Sequence, residues 1–208
     1  LFETDLTVTS QDINRASVTG NLGLTKTFVK LDSKLPTPDT RLDFVAAVDL
    51  QSQTFDLNRL TFNLGKNNQV DLSAKVRRFL TNPDFELFLS KGKFDLRELS
   101  AIAKPFLPPM AVSGSLKVAD LELKGRLKDN QPDAMYLARS DIKLTDGTLA
   151  HPATQTRLQG LEADLKLSNV RVNQLIPESV EARGTVEVEE GESTGIYFER
   201  FKEKFTLV

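Results

Sequence analysis

Apolar and polar residues alternate with period two along most of this chain. From Arg41 it reads RLDFVAAVDLQ, so Leu42, Phe44, Ala46, Val48 and Leu50 fall on one side. Asp43, Val45, Ala47, Asp49 and Gln51 fall on the other. Successive side chains of a strand point to opposite faces, so this spacing predicts a half-buried strand. The same alternation aligns Val70, Leu72, Ala74 and Val76, then Phe85, Leu87 and Leu89. It recurs in Leu161, Ala163, Leu165 and Leu167, and in Val180, Ala182, Gly184, Val186 and Val188. Two runs change phase: Phe55 and Leu57 are odd where Leu60, Phe62 and Leu64 are even, and Leu116 and Val118 are even where Leu121 and Leu123 are odd. A one-residue slip turns the apolar set outward unless a bulge absorbs it. Bulges are therefore predicted near Asn58–Arg59 and Ala119–Asp120, and they should make long strands curl.

Turn residues separate the runs: Gly65 to Asn68, Asn82-Pro83-Asp84, Asp129 to Asp133, and Asp146-Gly147. Asp-Gly is a favoured hairpin pair, so Asp146-Gly147 predicts a tight turn between DIKLT and TLAHP. The stretch 129–133 is the most polar break in the middle of the chain, and predicts either a boundary between sub-units or a long hairpin loop. One segment has helical period instead. Asp95 can cap LRELSAIAK, with Glu98 three residues on as in a capping box, and Leu96, Leu99, Ile102 and Ala103 share a face. Pro105, Pro108 and Pro109 end it. A second helical turn is predicted near Val172–Ile176, before Pro177. The tail from Ser193 fits a strand better than the helix suggested by Tyr197, Phe201 and Phe205.

The expected fold is mainly β: a long, curled antiparallel sheet, either an open groove or sandwich-like, with one short amphipathic helix, in one β-rich unit over residues 1–208. An apolar face of this kind is core in a closed sheet and a lined groove in an open one. Alternation serves both, and the closed core is the commoner outcome. At 23.1 kDa, a compact globule would keep roughly 9,700 Å² of about 33,000 Å² accessible. The chain opens on Leu1 rather than Met, which suggests a fragment or processed product, and no run approaches the ~20 apolar residues of a spanning helix.

Composition narrows the chemistry. There is no Cys and no Trp, one His, and 13 Phe against 2 Tyr. Thiol catalysis, disulfides and Cys or His-rich metal sites are excluded. A catalytic triad would need His151, but the chain has no GxSxG elbow, and TLAHPATQ reads as a surface turn. The acidic pairs Glu3/Asp5, Asp141/Asp146 and Glu189/Glu190 have neither calcium-loop spacing nor a common fixed face. No catalytic residue, metal site or cofactor is expected. With 27 Lys+Arg against 29 Asp+Glu, the chain lacks the overall basic balance of a nucleic-acid binder. The basic-aromatic stretches KVRRF (Lys75–Phe79) and FERFKEKF (Phe198–Phe205) read as amphipathic strand ends.

The stretch NPDFELFLSKGKFDLRELSAIAKPFLP (Asn82–Pro108) resembles a recurring unit of the bacterial AsmA-like family, related to TamB and the repeating-β-groove lipid transporters. An alternating strand leads through an FDL step into a short helix. VSGSLKVADLELKG (Val112–Gly125), ARSDIKLTDGTL (Ala138–Leu149) and LQGLEADLKLSNVRV (Leu158–Val172) continue the likeness, which covers roughly Val70 to Ile176. The resemblance implies a segment of an inner-membrane-anchored protein in the periplasm of a Gram-negative bacterium. It implies a groove that takes phospholipid acyl chains and serves outer-membrane biogenesis, with membrane contact through parts outside this segment and no catalytic residues. Candidate lining residues are Phe44, Val48, Leu72, Val76, Phe85, Leu87, Leu165 and Leu167. The competing expectation is a closed structural module that binds other envelope proteins through its sheet edges.

Overall fold

The computed structural model describes residues 1–25, 28–30, 34–36, 38–104, 110–128, 131–173 and 176–207. It contains one 11-stranded antiparallel sheet and a separate two-stranded ribbon. The large sheet runs β1 (Phe2–Ser10), β2 (Arg15–Leu24), β5 (Thr40–Asp49), β6 (Thr54–Leu64), β7 (Asn68–Arg77), β8 (Asp84–Asp95), β9 (Ala111–Lys128), β10 (Gln131–His151), β11 (Thr156–Asn173), β12 (Ile176–Ser193) and β13 (Ile196–Leu207). β3 (Phe28–Lys30) and β4 (Lys34–Pro36) form the ribbon between β2 and β5. The order is a simple meander. β1 and β13 are the two edges and do not pair, so the sheet is open.

The alternation becomes a surface through the register. Directly opposed residues share a face of the sheet. One transverse row runs Thr4, Leu22, Leu42, Phe62, Val70, Gly92, Val118, Ile142, Leu165, Gly184, Phe205, one residue per strand across all eleven. A parallel row runs Val8, Val18, Ala46, Leu57, Ala74, Leu87, Leu123, Leu137, Val170. The opposite face carries the charges. There Arg15 meets Asp49, Lys75 meets Asp56, Arg126 meets Asp84 and Lys202 meets Glu187. These pairs are solvent-exposed, so each contributes about 0–1 kcal/mol.

Keeping one face apolar requires the phase slips to be matched. In β6, Asn58 is the extra residue against β5, and Asn58 and Arg59 together oppose the single Ser73 of β7. In β8, Ser90 is extra against β7 and lies opposite Asp120 in β9, and Asp120, at a left-handed φ of 50°, and Leu121 together oppose the single Ser140 of β10. In β11, Asn169 adopts a left-handed φ of 51° where the register with β12 breaks. The bulges expected at Asn58–Arg59 and Ala119–Asp120 are therefore present, and others accompany them. Each bulge adds local twist and bends its strand.

Two expectations are corrected. Asp146-Gly147 is not a hairpin turn: β10 runs through it to His151, and the register with both neighbours shifts there. Asp146 takes a left-handed φ of 52° and its N–H donates to Glu162 Oε1 at 2.8 Å. Asp and Gly tolerate that conformation within a strand as readily as in a turn, so the pair makes a bulge. Second, the described residues of the segment expected to form a helical turn before Pro177 are extended instead. Val172, Asn173 and Ile176 are strand residues, with β11 and β12 paired up to Val172–Pro177 and Asn173–Ile176, and positions 174–175 lie outside the described residues. Of the two forms expected for the sheet the open one is found, and it does not close over a core. The chain keeps 13,957 Å² accessible, and the described hydrophobic residues that are fully buried are Ala46 and Val188. The accessible area is some 4,000 Å² above that of a compact globule of this mass. The tail is a strand, β13, as expected. Strands β9 and β10 pair to Lys128 and Gln131 on either side of the 129–130 connection, which lies outside the described residues.

The helix α1 (Leu96–Ala103) follows β8 directly. Asp95 caps it, accepting from the N–H groups of Arg97 and Glu98 at 3.0 and 3.1 Å. Glu98 does not complete a capping box. Asn68 takes that place, its Oδ1 accepting the Asp95 N–H at 2.8 Å. Glu98 instead accepts from the Lys66 and Asn67 N–H groups and from Asn68 Nδ2. Asn68 also donates to the Leu64 carbonyl at 3.0 Å and is 4% exposed. Asn68 has the parity of Val70 and Leu72, so it points to the apolar face, and α1 is tied down on that side, against β9 and β8. Gly65, at φ 66°, makes this approach possible: a Cβ there would overlap the Glu98 carboxylate. The prolines expected to end the helix lie at 105–109, outside the described residues.

Two measurements test this account. Asn68→Ala leaves the Asp95 N–H and the Leu64 carbonyl without their partner and should cost about 1–3 kcal/mol in urea unfolding, with loss of amide protection concentrated in α1. At the β10 bulge, Asp146→Gly should be close to neutral. Asp146→Val should cost about 1–2 kcal/mol, because a β-branched residue is strained at positive φ.

Candidate functional site

The eight residues predicted to line a groove all fall on the apolar face. Phe44 opposes Leu60, which opposes Leu72. Val48 opposes Phe55, then Val76, then Phe85 across four strands. Leu87 lies between Ala74 and Leu123, and Leu165 and Leu167 occupy β11 opposite Ile142 and Ser140. All eight are half-buried. Neighbouring side chains of the face cover their flanks, and among the described residues no second sheet packs over them.

The face extends beyond those eight. β1 and β2 bring Leu6, Val8, Val18 and Leu22 to it, and β10 brings Leu137 and Ile142. Alternation in FETDLTVTS was the available signal for β1. Glycines make room for large rings on this surface. Gly125 lies beneath the Phe85 ring and Gly191 beneath that of Phe198, where a Cβ would stand 2.4 and 2.0 Å from ring atoms. Phe198 and Phe201 meet edge to face with centroids 6.2 Å apart. These contacts turn bare backbone into continuous hydrocarbon.

Ser140 breaks the chemistry of the face. It is 1% exposed and its Oγ has no partner, while its neighbour Leu167 is apolar.

The polar candidates are distributed differently. His151 ends β10, and its Nδ1 lies 2.8 Å from Thr154 Oγ1 in the 3₁₀ turn Pro152–Thr154. From there a hydroxyl chain runs to Thr156 and Ser193. Among the described residues no cluster of three His, Cys, Asp or Glu could hold a metal ion, and no helix is long and apolar enough to cross a membrane. The paired acids are separated: Asp141 pairs with Lys166 while Asp146 sits in its bulge. In KVRRF the cations are engaged, Lys75 with Asp56, Arg77 with Glu86 and Arg78 with Asp84.

Electrostatic perturbation is confined to the polar face. Arg126, with help from Arg78, holds the Asp84 carboxyl below the usual carboxylate range. Lys124, hydrogen-bonded to Glu122, does the same there. The Ser52 N–H holds Asp49 down, and Arg15 adds to it. Protein-family models, curated proteins and solved structures were compared with this chain, and none matches it.

A carboxyl whose folded pKa is depressed contributes stability above its unfolded pKa, and loses it as pH falls through the lower folded value. Stability measured by urea titration should therefore decline below the usual carboxylate range. Asp84→Asn should flatten part of that decline while lowering the plateau at neutral pH. A decline of unchanged steepness in Asp84→Asn would assign the acid sensitivity to other groups.

Proposed function

We propose that this chain is a periplasmic segment of an AsmA-like protein, and that its apolar sheet face carries phospholipid acyl chains between inner and outer membrane in support of outer-membrane biogenesis. One observation carries the reading: a mostly apolar face crosses all eleven strands, and among the described residues only α1 lies over part of it. Monomeric soluble proteins rarely leave a contiguous apolar patch larger than a few hundred Å² in water. A face one residue deep and eleven strands wide already spans about 50 Å at the spacing of neighbouring strands. Acyl chains fit such a strip, because hydrocarbon contact is non-directional and needs no fixed partner atoms.

The mechanism is non-covalent. Each buried CH₂ contributes about 0.8 kcal/mol, so a 16-carbon chain exposed to water forfeits more than ~10 kcal/mol. Side chains such as Phe44, Leu72, Phe85 and Leu165 would replace the bilayer interior along the way, while the headgroup stays toward solvent. Rows of similar apolarity offer successive sites of similar affinity, so a chain can move from one to the next without a deep trap.

The test is site-specific photocrosslinking. A photoreactive phenylalanine at Phe44 or Phe85 should capture phospholipid, whereas one at Phe88, on the polar face between Ser73 and Glu122, should not. Equal capture at both faces, or capture of protein rather than lipid at Phe44 and Phe85, would sink the proposal. The protein outcome would favour an envelope-protein interaction module instead.

A further inference from the structure

The polar face carries a feature that acyl-chain binding does not use. In two adjacent transverse rows across β8 to β13 it brings six cations together. Lys93, Lys117 and Lys143 are directly opposed on β8, β9 and β10. The band continues through Lys166 and Arg183, opposed on β11 and β12, to Lys204 on β13. All six side chains are exposed. Two acids lie within the band: Asp141, which pairs with Lys166, and Asp164, which opposes Lys143.

Like charges directly opposed across strands are destabilising. The same face shows the alternative arrangement, since Asp56 with Lys75, Asp84 with Arg126 and Glu122 with Arg139 are all opposed pairs of opposite sign. Lys93, Lys117, Lys143, Arg183 and Lys204 form no ion pair with a described residue. Lys117 stands in the middle of its row with a lysine on either side. A shallow depression at the far end of the band is lined by Lys166, Arg183 and Lys204, together with Asp164, Thr185 and Phe205.

We infer that this cationic band docks the polar face against an anionic lipid surface. The band crosses six strands, about 24 Å at the usual interstrand spacing, which is wide enough to meet several headgroups at once. Its composition favours headgroups over nucleic acid. Five of the six cations are lysines, which act as mobile point charges, whereas bidentate phosphate recognition favours arginine. Phe205, which borders the depression beside Lys204, belongs to the apolar row, so the cations are not interleaved with a series of rings that could stack bases. Flexible lysines over a flat strip suit the delocalised charge of a bilayer surface, where each contributes about 1 kcal/mol. This inference is independent of what the apolar face carries.

The test is cosedimentation of the 208-residue chain with vesicles of phosphatidylcholine alone and with one-third phosphatidylglycerol. The quantity read is the ratio of the two affinities, so binding through the apolar face, common to both vesicles, cancels. The ratio should exceed one and fall as salt is raised. The variant Lys93→Gln/Lys117→Gln/Lys143→Gln should lower it by about fivefold per lysine, of order a hundredfold in all. Lys75→Gln, which removes a lysine already paired with Asp56, should leave it nearly unchanged. The triple variant relieves like-charge contacts, so its melting temperature should be no lower than that of the parent, which separates lost binding from lost folding. A ratio of one in the parent, or a ratio unmoved in the folded triple variant, overturns the inference. So does lysine-dependent binding of single-stranded DNA by a chain that ignores the anionic vesicles.

Discussion

Everything in this structure depends on the registry of bulges between neighbouring strands. A strand that slips by one residue presents its polar set where its apolar set had been. In an isolated hairpin that costs one strand. In a meander of eleven, an unmatched slip would break every transverse row at once. The slips here are absorbed: Asn58 by an irregular pairing with both neighbours, Ser90 by Asp120 standing opposite it, and Asp146 by the extra residue it places in β10. The apolar rows therefore stay continuous over strands whose own sequences change phase. The bends that bulges introduce then fall at related levels in adjacent strands, and this is how an antiparallel sheet curls without losing its sidedness.

A single layer has unusual energetics. Domains commonly bury one face of a sheet against a second sheet or a helix. Here α1 covers only the end of the face near β8 and β9, and it is held by polar contacts of Asp95 and Glu98 to Asn68 and the turn before it rather than by deep apolar packing. The backbone ladder and same-face neighbours such as Phe44 over Gly20 and Phe85 over Gly125 take up what a core would supply. Exposed ion pairs on the other face add little individually. An apolar ligand on the open face would bind the folded sheet and not the unfolded chain, so occupancy and stability would be thermodynamically linked. In that picture the missing core and the proposed cargo are one fact, since a chain with its own second layer would have no surface left to offer.

Much of this was legible in the residues, for a physical reason. Period two is set by backbone geometry, so the strands over Arg41–Gln51, Val70–Val76, Phe85–Leu89 and Leu161–Leu167 could be read locally, and so could the Asp95 cap. The eight residues named from alternation share a face because parity is carried faithfully by pairing. Three things were not legible. Whether an alternating face closes on itself depends on accumulated twist and on how the edges meet, neither of which any short window contains. Asp146-Gly147 has the same left-handed preference in a hairpin and in a bulge, and only the long pairing of β10 with β9 and β11 decides between them. The Glu98 contact to the turn at Gly65 spans more than thirty residues, and a capping-box pattern in the sequence pointed to a nearer partner.

The two faces also explain why composition alone was a poor guide to charge. A net charge of -2 describes the sum, yet fields at a surface follow arrangement, and screening confines each to about a Debye length. Acidic residues concentrate around Glu187 to Glu192 near the β12–β13 turn, while lysines gather on β8 to β10. The cationic band meets this acidic stretch at Lys204 and Lys202, where Lys202 pairs with Glu187, so only its β8–β10 part lies well apart from the acids. A sheet with hydrocarbon on one side and a segregated field on the other can hold an apolar ligand and orient against a charged surface with different residues. Neither task then constrains the side chains that serve the other.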